Sequence, residues 1–431
     1  MSSAARAVEP IGRPLDATLT VPGSKSLTNR ALVCAALAGG TSMVEGALVA
    51  DDTEAMVEAL RRLGAGIAET ASERLSVTGT GGDLRAGPIE LDLRLSGTTS
   101  RFLLPVVALG SGRYRLDGRP PLRARTLGPL LAGVEALGAR VEPHGQAGHL
   151  PVTVVAPGHL ARGQVDIPGD TSSQYASGLL LAAPYCRDGL RVRVTAPLVG
   201  RPFVDMTIAV MAAFGVDVVA ADEVDGPLFT VPAGRYRATD YRVEPDASSA
   251  SYLLAAAAIC GGRVTVEGLG DDSLQGDARF ADLLAAMGAS VERSATGSTV
   301  IGPAHLRGLG DVDLSAMPDM AQTLAAVAVF ADGPTRVRGV GFIRGHETDR
   351  IAATVRELRR CGIDAREAPD GFVVHPGVPQ PARVTTYDDH RMAMSFALLG
   401  LRVPGIEIED PDCVAKTFPG YWDALETLRP R

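Results

Sequence analysis

Apolar and polar positions along the chain follow two rhythms. Short stretches such as "ATLTV", "IELDLRL", "QVDI", "YRV", "DVDL" and "ARVTTY" alternate apolar and polar residues, as strands with one buried face do. Each leads into a longer segment that is apolar nearly all round and begins with polar residues: "SLTNRALVCAALAGG", "TTSRFLLPVVALGSG", "SSQYASGLLLAAPY", "SSASYLLAAAAICGG", "DMAQTLAAVAVFADG" and "DHRMAMSFALLGLRVPG". These predict buried helices. A second kind of helix ends in the pattern apolar–Gly–x–x–apolar, at Gly64, Gly138, Gly215, Gly288 and Gly362, in steps of 74, 77, 73 and 74 residues. Gly just past a helix is a C-cap signature. One such site says little, but five at near-constant spacing define a repeat.

The predicted unit is strand, helix, strand, helix and two strands, occurring six times; "YWDALETL" supplies the last helix. The repeat is too long for a solenoid of helix pairs and suits an α/β protein with two globular domains of three βαβαββ units each. The crossover is expected after the third unit, near residues 238–243, and the segment before the first unit is expected to pair with the C-terminal half. The expected division is residues 1–20 with 243–431 in one domain and 21–242 in the other.

Composition narrows the function. The formal net charge of −8 argues against non-specific nucleic-acid binding. Aromatic residues are only 4% of the chain and hydrophobic residues 46%, so the cores should be aliphatic. The five cysteines are scattered without a C-x-x-C, which signals neither a zinc site nor a disulfide framework. The N-terminal "MSSAARAVEPIG" lacks the apolar run of a signal peptide, and "LLAAAAIC" is too short to span a bilayer. A soluble protein of the reducing cytoplasm, with no membrane partner, is expected.

Chemistry gathers at the helix starts. The first set holds Lys25, Ser26 and Arg30; Thr98 and Arg101; Ser172, Ser173 and Gln174; Ser248 and Ser249; Asp319; His390 and Arg391. The second holds Asp51 and Asp52, Arg125, Arg201, Asp277, Glu347 with Arg350, and Lys416. Cations at helix N-termini oppose the helix dipole, and repeating that choice makes sense where anions bind. Convergence of these starts on one cleft would make it strongly anion-attracting. Each piece also has a plainer reading. "PGSKS" is not a P-loop, "GDTSSQ" lacks a nucleophile elbow, "HETDR" reads as a capped helix with a solvated His346, and Asp319 reads as a helix cap.

Taken together, "PGSKSLTNRAL", "SGTTSRF", "DTSSQYASGLLLAAP", "RPFVDMTIAVMAAFG", "MPDMAQTLAAVAVFADGPTRVRGV", "HETDRIAA", "TYDDHRMAM" and "DPDCVAKTFPGYW" resemble the EPSP synthases (3-phosphoshikimate 1-carboxyvinyltransferases), in order from about residue 14 to 428. The resemblance implies the two-domain enolpyruvyl transferase fold, its helix N-termini facing an interdomain cleft. It implies transfer of the enolpyruvyl group of phosphoenolpyruvate to the 5-hydroxyl of shikimate 3-phosphate through a tetrahedral intermediate, with no metal or other cofactor, in a monomer. By the same resemblance Lys25, Gly97, Arg125, Gln174, Arg350, Arg391 and Lys416 would hold phosphoenolpyruvate. Lys25, Ser26, Arg30, Ser172, Ser173, Gln174, Asp319 and His346 would hold shikimate 3-phosphate. Asp319 would deprotonate the 5-hydroxyl, and Glu347 with Lys25 would move protons at the methylene carbon. Gly97, lacking a side chain, would leave room for glyphosate. Gly200, Phe203, Phe342 and His346 depart from the usual Ser, Tyr, polar residue and Lys, and Leu95 from an Asn. Gly200 and Phe203 motivate an alternative, a paralogue acting on another acceptor. The sibling that uses UDP-N-acetylglucosamine is disfavoured because its loop cysteine has no counterpart in "RPPLRART".

Overall fold

A computed structural model of the chain describes residues 4–161, 163–195 and 197–429. The chain divides into two compact domains, a discontinuous one of Met1–Pro22 with Glu244–Arg431 and a continuous one of Gly23–Val243. Each has its own aliphatic core.

The described residues form six small sheets, five of four strands and one of three. The four-stranded sheets share one plan. A first strand runs parallel to a second, and a hairpin adds two antiparallel strands, as in Gly163–Ile167, Leu190–Val194, Gly226–Val231 and Val219–Glu223. Of the two helices in each repeat, the inner one is buried on all sides. Ala247–Cys260 is buried from Ala247 through Ile259, which accounts for its unbroken apolar sequence. The outer helix is amphipathic, as in Asp51–Arg62, which buries Ala55, Met56, Ala59 and Leu60.

The five repeat glycines end their helices in one way. Gly64, Gly138, Gly215, Gly288 and Gly362 all have positive φ, between 78° and 114°. In each case the Gly N–H donates to the carbonyl three residues back, and the next residue's N–H donates to the one five back, as in Gly64 to Arg61 and Ala65 to Leu60. This is the Schellman arrangement, which satisfies otherwise orphaned helix-end carbonyls.

Two expected placements are corrected. The segment before the first unit was expected to pair with the C-terminal half, as it does, but its strand "ATLTV" was also expected in the first repeat. Instead Leu15–Leu19 runs parallel to Gly262–Glu267, in the discontinuous domain. The strand parallel to Gly39–Glu45 is Tyr241–Arg242, drawn from the "YRV" expected to open the fourth repeat. The two chain crossings therefore exchange first strands between repeats. Arg6–Val8 likewise pairs with Ile406–Ile408 and completes the last, three-stranded sheet. "IELDLRL" is also shorter as a strand than expected. It ends at Asp92, just before Arg94 turns to φ 50°. Among the described residues no helix is long and apolar enough to cross a membrane.

Candidate active site

In the discontinuous domain the site is built on Arg350, the first residue of the helix Arg350–Arg360 capped by Asp349. Its side chain is 2% exposed and all five N–H donors are engaged. Nε and Nη2 hold the carboxylate of Asp389 at 2.7 and 3.2 Å. Nη1 reaches Asp319 at 3.0 Å and His346 Nδ1 at 3.2 Å, and Nη2 reaches Glu347 at 2.9 Å. Burial opposes the charge of Arg350, but Asp389, Glu347 and Asp319 outweigh it and raise its pKa.

Two of those carboxylates have a second cation. Asp319 also accepts from Arg391 Nη2 at 2.6 Å, and Glu347 from Lys416 Nζ at 2.8 Å. Asp319 sits in the one-turn helix Pro318–Met320 and does not cap the helix Ala321–Ala328, so its carboxylate serves the cations. Lys416 ends the short helix Pro411–Lys416. His346 is not merely solvated. Besides its contact with Arg350, its ring meets Phe342 edge-on at 6.0 Å, so two departures from the family pattern pack on each other.

Arg391 lies in the first turn of His390–Gly400, whose cap Asp389 accepts its backbone N–H at 2.9 Å. Besides Asp319, its guanidinium donates to Tyr252 at 3.3 Å and to Ser248 Oγ at 3.4 Å. Ser248 in turn donates to the buried Asp277 at 2.5 Å. Burial and the neighbouring charge of Asp319 push the Asp277 carboxyl up to about 7, against the opposing pull of Arg391 and Ser248. The cations here are matched by the domain's own carboxylates; they are not the uncompensated surplus expected from the sequence.

The continuous domain gathers a different set. Lys25 opens the helix Lys25–Leu37 and pairs with the buried Asp52 at 3.3 Å. Gly97 opens Gly97–Ala108, and a Cβ there would stand 2.7 Å from Arg125 Nη1 and 2.8 Å from Arg101 Nη1. Two guanidinium groups thus crowd a glycine at a helix N-terminus. Gln174 joins this group, accepting from Arg101 at 2.9 Å and donating to Thr98 at 3.2 Å. The Tyr175 hydroxyl donates to the Thr126 carbonyl at 2.8 Å and fixes the loop that carries Arg125. Ser172 caps its helix by accepting from the Gln174 N–H at 3.3 Å, and Ser173 is buried beside Gly200.

Arg30 is 1% exposed. It donates to Thr207 at 2.7 Å and to the carbonyls of Ser26 and Phe203 at 2.8 Å each. Among the described residues it has no carboxylate at ion-pair distance, and burial lowers its pKa to about 9. A buried cation without a counter-ion is costly, and a ligand carboxylate would offset that cost.

Sequence reasoning named the cations and placed Asp52, Asp277 and Ser248 at helix starts without giving them a role, and it did not name Asp389 or Tyr252. The signal for Asp389 and Asp52 was present in "DDHR" and "ADDTE", where an acid beside a helix start reads equally well as a cap. Among the described residues no group of three His, Cys, Asp or Glu side chains could hold a metal ion.

The arrangement suits chemistry on a multiply anionic substrate. It offers carboxylates able to exchange protons, cations able to trade those carboxylates for substrate anions, and helix starts aimed at oxyanions. Comparison with known proteins agrees. The family model for EPSP synthase (3-phosphoshikimate 1-carboxyvinyltransferase) matches residues 10–425. The 3-phosphoshikimate 1-carboxyvinyltransferase of Nostoc punctiforme is 46% identical over 96% of each chain. The chloroplastic enzyme of Brassica napus is 42% identical over 98% of this chain and 84% of its own. Among solved structures, EPSP synthase from Acinetobacter baumannii superposes with a TM-score of 0.82 at 27% identity over 98% of both chains. The enolpyruvyl transferase NikO from Streptomyces tendae, at 20% identity, 98% and 97% coverage and a TM-score of 0.77, shares the fold.

Proposed function

The chain belongs to the EPSP synthase (3-phosphoshikimate 1-carboxyvinyltransferase) family, and from that premise we propose how its residues divide the reaction. The enzyme transfers the enolpyruvyl group of phosphoenolpyruvate to the 5-hydroxyl of shikimate 3-phosphate and releases phosphate. In our reading the discontinuous domain binds mainly phosphoenolpyruvate, through Arg350, Arg391 and Lys416, with Lys25, Gly97, Arg125 and Gln174 contributing from the continuous domain. The continuous domain binds mainly shikimate 3-phosphate. Ser172 and Ser173 take its phosphate, Ser26 and Arg30 its ring and carboxylate, and Lys25 and Gln174 lie alongside. We assign Asp319 and His346 to the same acceptor.

The observation that carries the assignment is the sharing of Arg350 by Asp319 and Glu347, each tied to a further cation. Arg350 has no N–H to spare, so an incoming carboxylate or phosphate must displace one of its partners, in our reading Asp319 or Glu347. The displaced carboxylate, still held by its second cation, can then act. Asp319 takes the proton of the 5-hydroxyl as its oxygen bonds to C2 of phosphoenolpyruvate. Glu347, with Lys25, delivers a proton to the methylene carbon. When the intermediate collapses, the bond from C2 to the phosphate oxygen breaks, the methyl carbon returns its proton to Glu347, and phosphate departs with the proton that Asp319 had taken, so both carboxylates are restored. Arg391 uses three of its five N–H donors on protein among the described residues, which leaves donors for the substrate carboxylate.

Glu347→Gln tests the assignment. It keeps the shape and cannot relay a proton, so kcat should fall roughly 10²–10⁴-fold with the KM for phosphoenolpyruvate little changed. Turnover close to the parent's would remove Glu347 from the role. We also place the enzyme in the cytoplasm as a monomer. Five unbridged thiols support the first, and two cores closed within one chain the second. A light-scattering mass of twice 44.7 kDa would contradict the monomer.

A further inference from the structure

Glu357 lies two turns beyond Arg350 on the same helix, and its side chain is completely buried. Three donors meet its carboxylate: the Tyr387 hydroxyl at 2.6 Å, the Thr385 N–H at 3.0 Å and Arg360 at 3.2 Å. Thr385 and Tyr387 belong to the short connection between the strand Ala382–Val384 and the helix His390–Gly400. That connection then takes an uncommon path, with Tyr387 at φ 56° and Asp388 at φ 57° in succession. A left-handed residue bearing a Cβ costs about 1–2 kcal/mol. Two in a row persist only where the surroundings over-determine them. Arg356, stacked 5.8 Å from the Tyr387 ring and 3.4 Å from its hydroxyl, pins the same side chain from another side.

The next residue is Asp389, whose carboxylate grips Arg350 twice and caps the N–H of Arg391. We infer that Glu357 is a positioning residue: by anchoring Thr385 and Tyr387 it holds the double left-handed turn that aims Asp389, and through Asp389 it sets the guanidinium group of Arg350 and the backbone of Arg391 at its helix start. One helix thus carries both a substrate-binding arginine at its start and, two turns on, the clamp for that arginine's counter-ion. The inference rests on reading Arg350 and Arg391 as ligands of phosphoenolpyruvate.

Four variants of the full chain test it, each measured for both Michaelis constants, kcat and thermal melting. Glu357→Ala removes the clamp, and Tyr387→Phe removes one bond of it with little change of volume. Both should raise the KM for phosphoenolpyruvate roughly ten- to a hundredfold, the effect of a small misplacement of binding groups. The KM for shikimate 3-phosphate should change far less. Glu357→Gln can still accept from Thr385 and donate to the Tyr387 oxygen, so it should retain most of the parent's affinity. If Glu357→Ala does not fold, Tyr387→Phe decides. A folded Tyr387→Phe with an unaltered KM for phosphoenolpyruvate, or with both Michaelis constants raised alike, overturns the positioning role. Arg391→Lys separates the two layers. A raised KM there beside an unaltered Tyr387→Phe refutes the positioning role alone, whereas an unaltered KM in Arg391→Lys refutes the ligand assignment and the inference with it.

Discussion

Gly200 caps the helix Arg201–Ala213 with φ 61° and ψ 38°, and a Cβ there would lie 3.2 Å from both Phe203 Cδ2 and Ser173 Oγ. Two readings of this glycine follow from the sequence. A serine in its place would add a donor to the acceptor's phosphate, or the turn before "RPFVD" needs positive φ. The backbone agrees with the second. Gly200→Ser should therefore destabilise the protein by about 1–2 kcal/mol without lowering the KM for shikimate 3-phosphate. A variant as resistant to denaturant as the parent, with tighter acceptor binding, would contradict this. Asp277 sets a second expectation at this scale. Its carboxyl titrates at about 7 in the folded protein, above its unfolded value. On raising the pH, the unfolded chain gives up this proton first, from about pH 4 upward, so stability falls until the folded group has also ionised and the full cost is present above about 7. Asp277→Asn cannot ionise and escapes that cost. Its melting temperature relative to the parent's should rise between about pH 5 and about pH 8. A constant difference across that range would show that the folded carboxyl is not shifted.

Each outer helix that ends in a repeat glycine does so through the same pair of backbone bonds, and the energetic content of that motif can be isolated at Gly138. Its φ is 102° and nothing lies within 4 Å of a Cβ built on it, so alanine meets no clash and only the backbone strain remains. Gly138→Ala should cost about 1–2 kcal/mol and leave both Michaelis constants unchanged. No loss in a denaturation midpoint would mean that the glycine spacing does not report the helix ends. This motif was legible in the sequence because it is local: a few residues fix the stop, and the spacing repeats. Which strand each first strand joins was not. Leu15–Leu19 precedes the helix Lys25–Leu37 in the chain but pairs with Gly262–Glu267, over 240 residues away, and nothing in five alternating residues names a partner at that distance. The site divides the same way. Lys25, Arg350 and Arg391 stand out because cations at helix starts are unusual, whereas Lys416, expected at a helix start, instead ends the helix Pro411–Lys416. Their counter-ions Asp52 and Asp389 were hidden because an acid at a helix start is ordinary, and only the fold shows them buried against a guanidinium or an ammonium.

Across the whole molecule a chain of net charge −8 handles substrates that are themselves anions. It does so with a few cations placed at particular helix starts, Lys25, Arg350 and Arg391 among them. In the discontinuous domain Arg350, Arg391 and Lys416 are each paired with the domain's own carboxylates. In the continuous domain Arg30 is buried with no carboxylate of its own among the described residues. Phosphoenolpyruvate supplies the group transferred and shikimate 3-phosphate the acceptor oxygen, so neither substrate alone should suffice for turnover. Phosphate release measured with phosphoenolpyruvate and shikimate 3-phosphate, each omitted in turn, tests this most directly. We expect release only when both are present, one phosphate for each phosphoenolpyruvate consumed. A folded protein that releases no phosphate with both substrates, or releases it equally fast from phosphoenolpyruvate alone, would contradict the account.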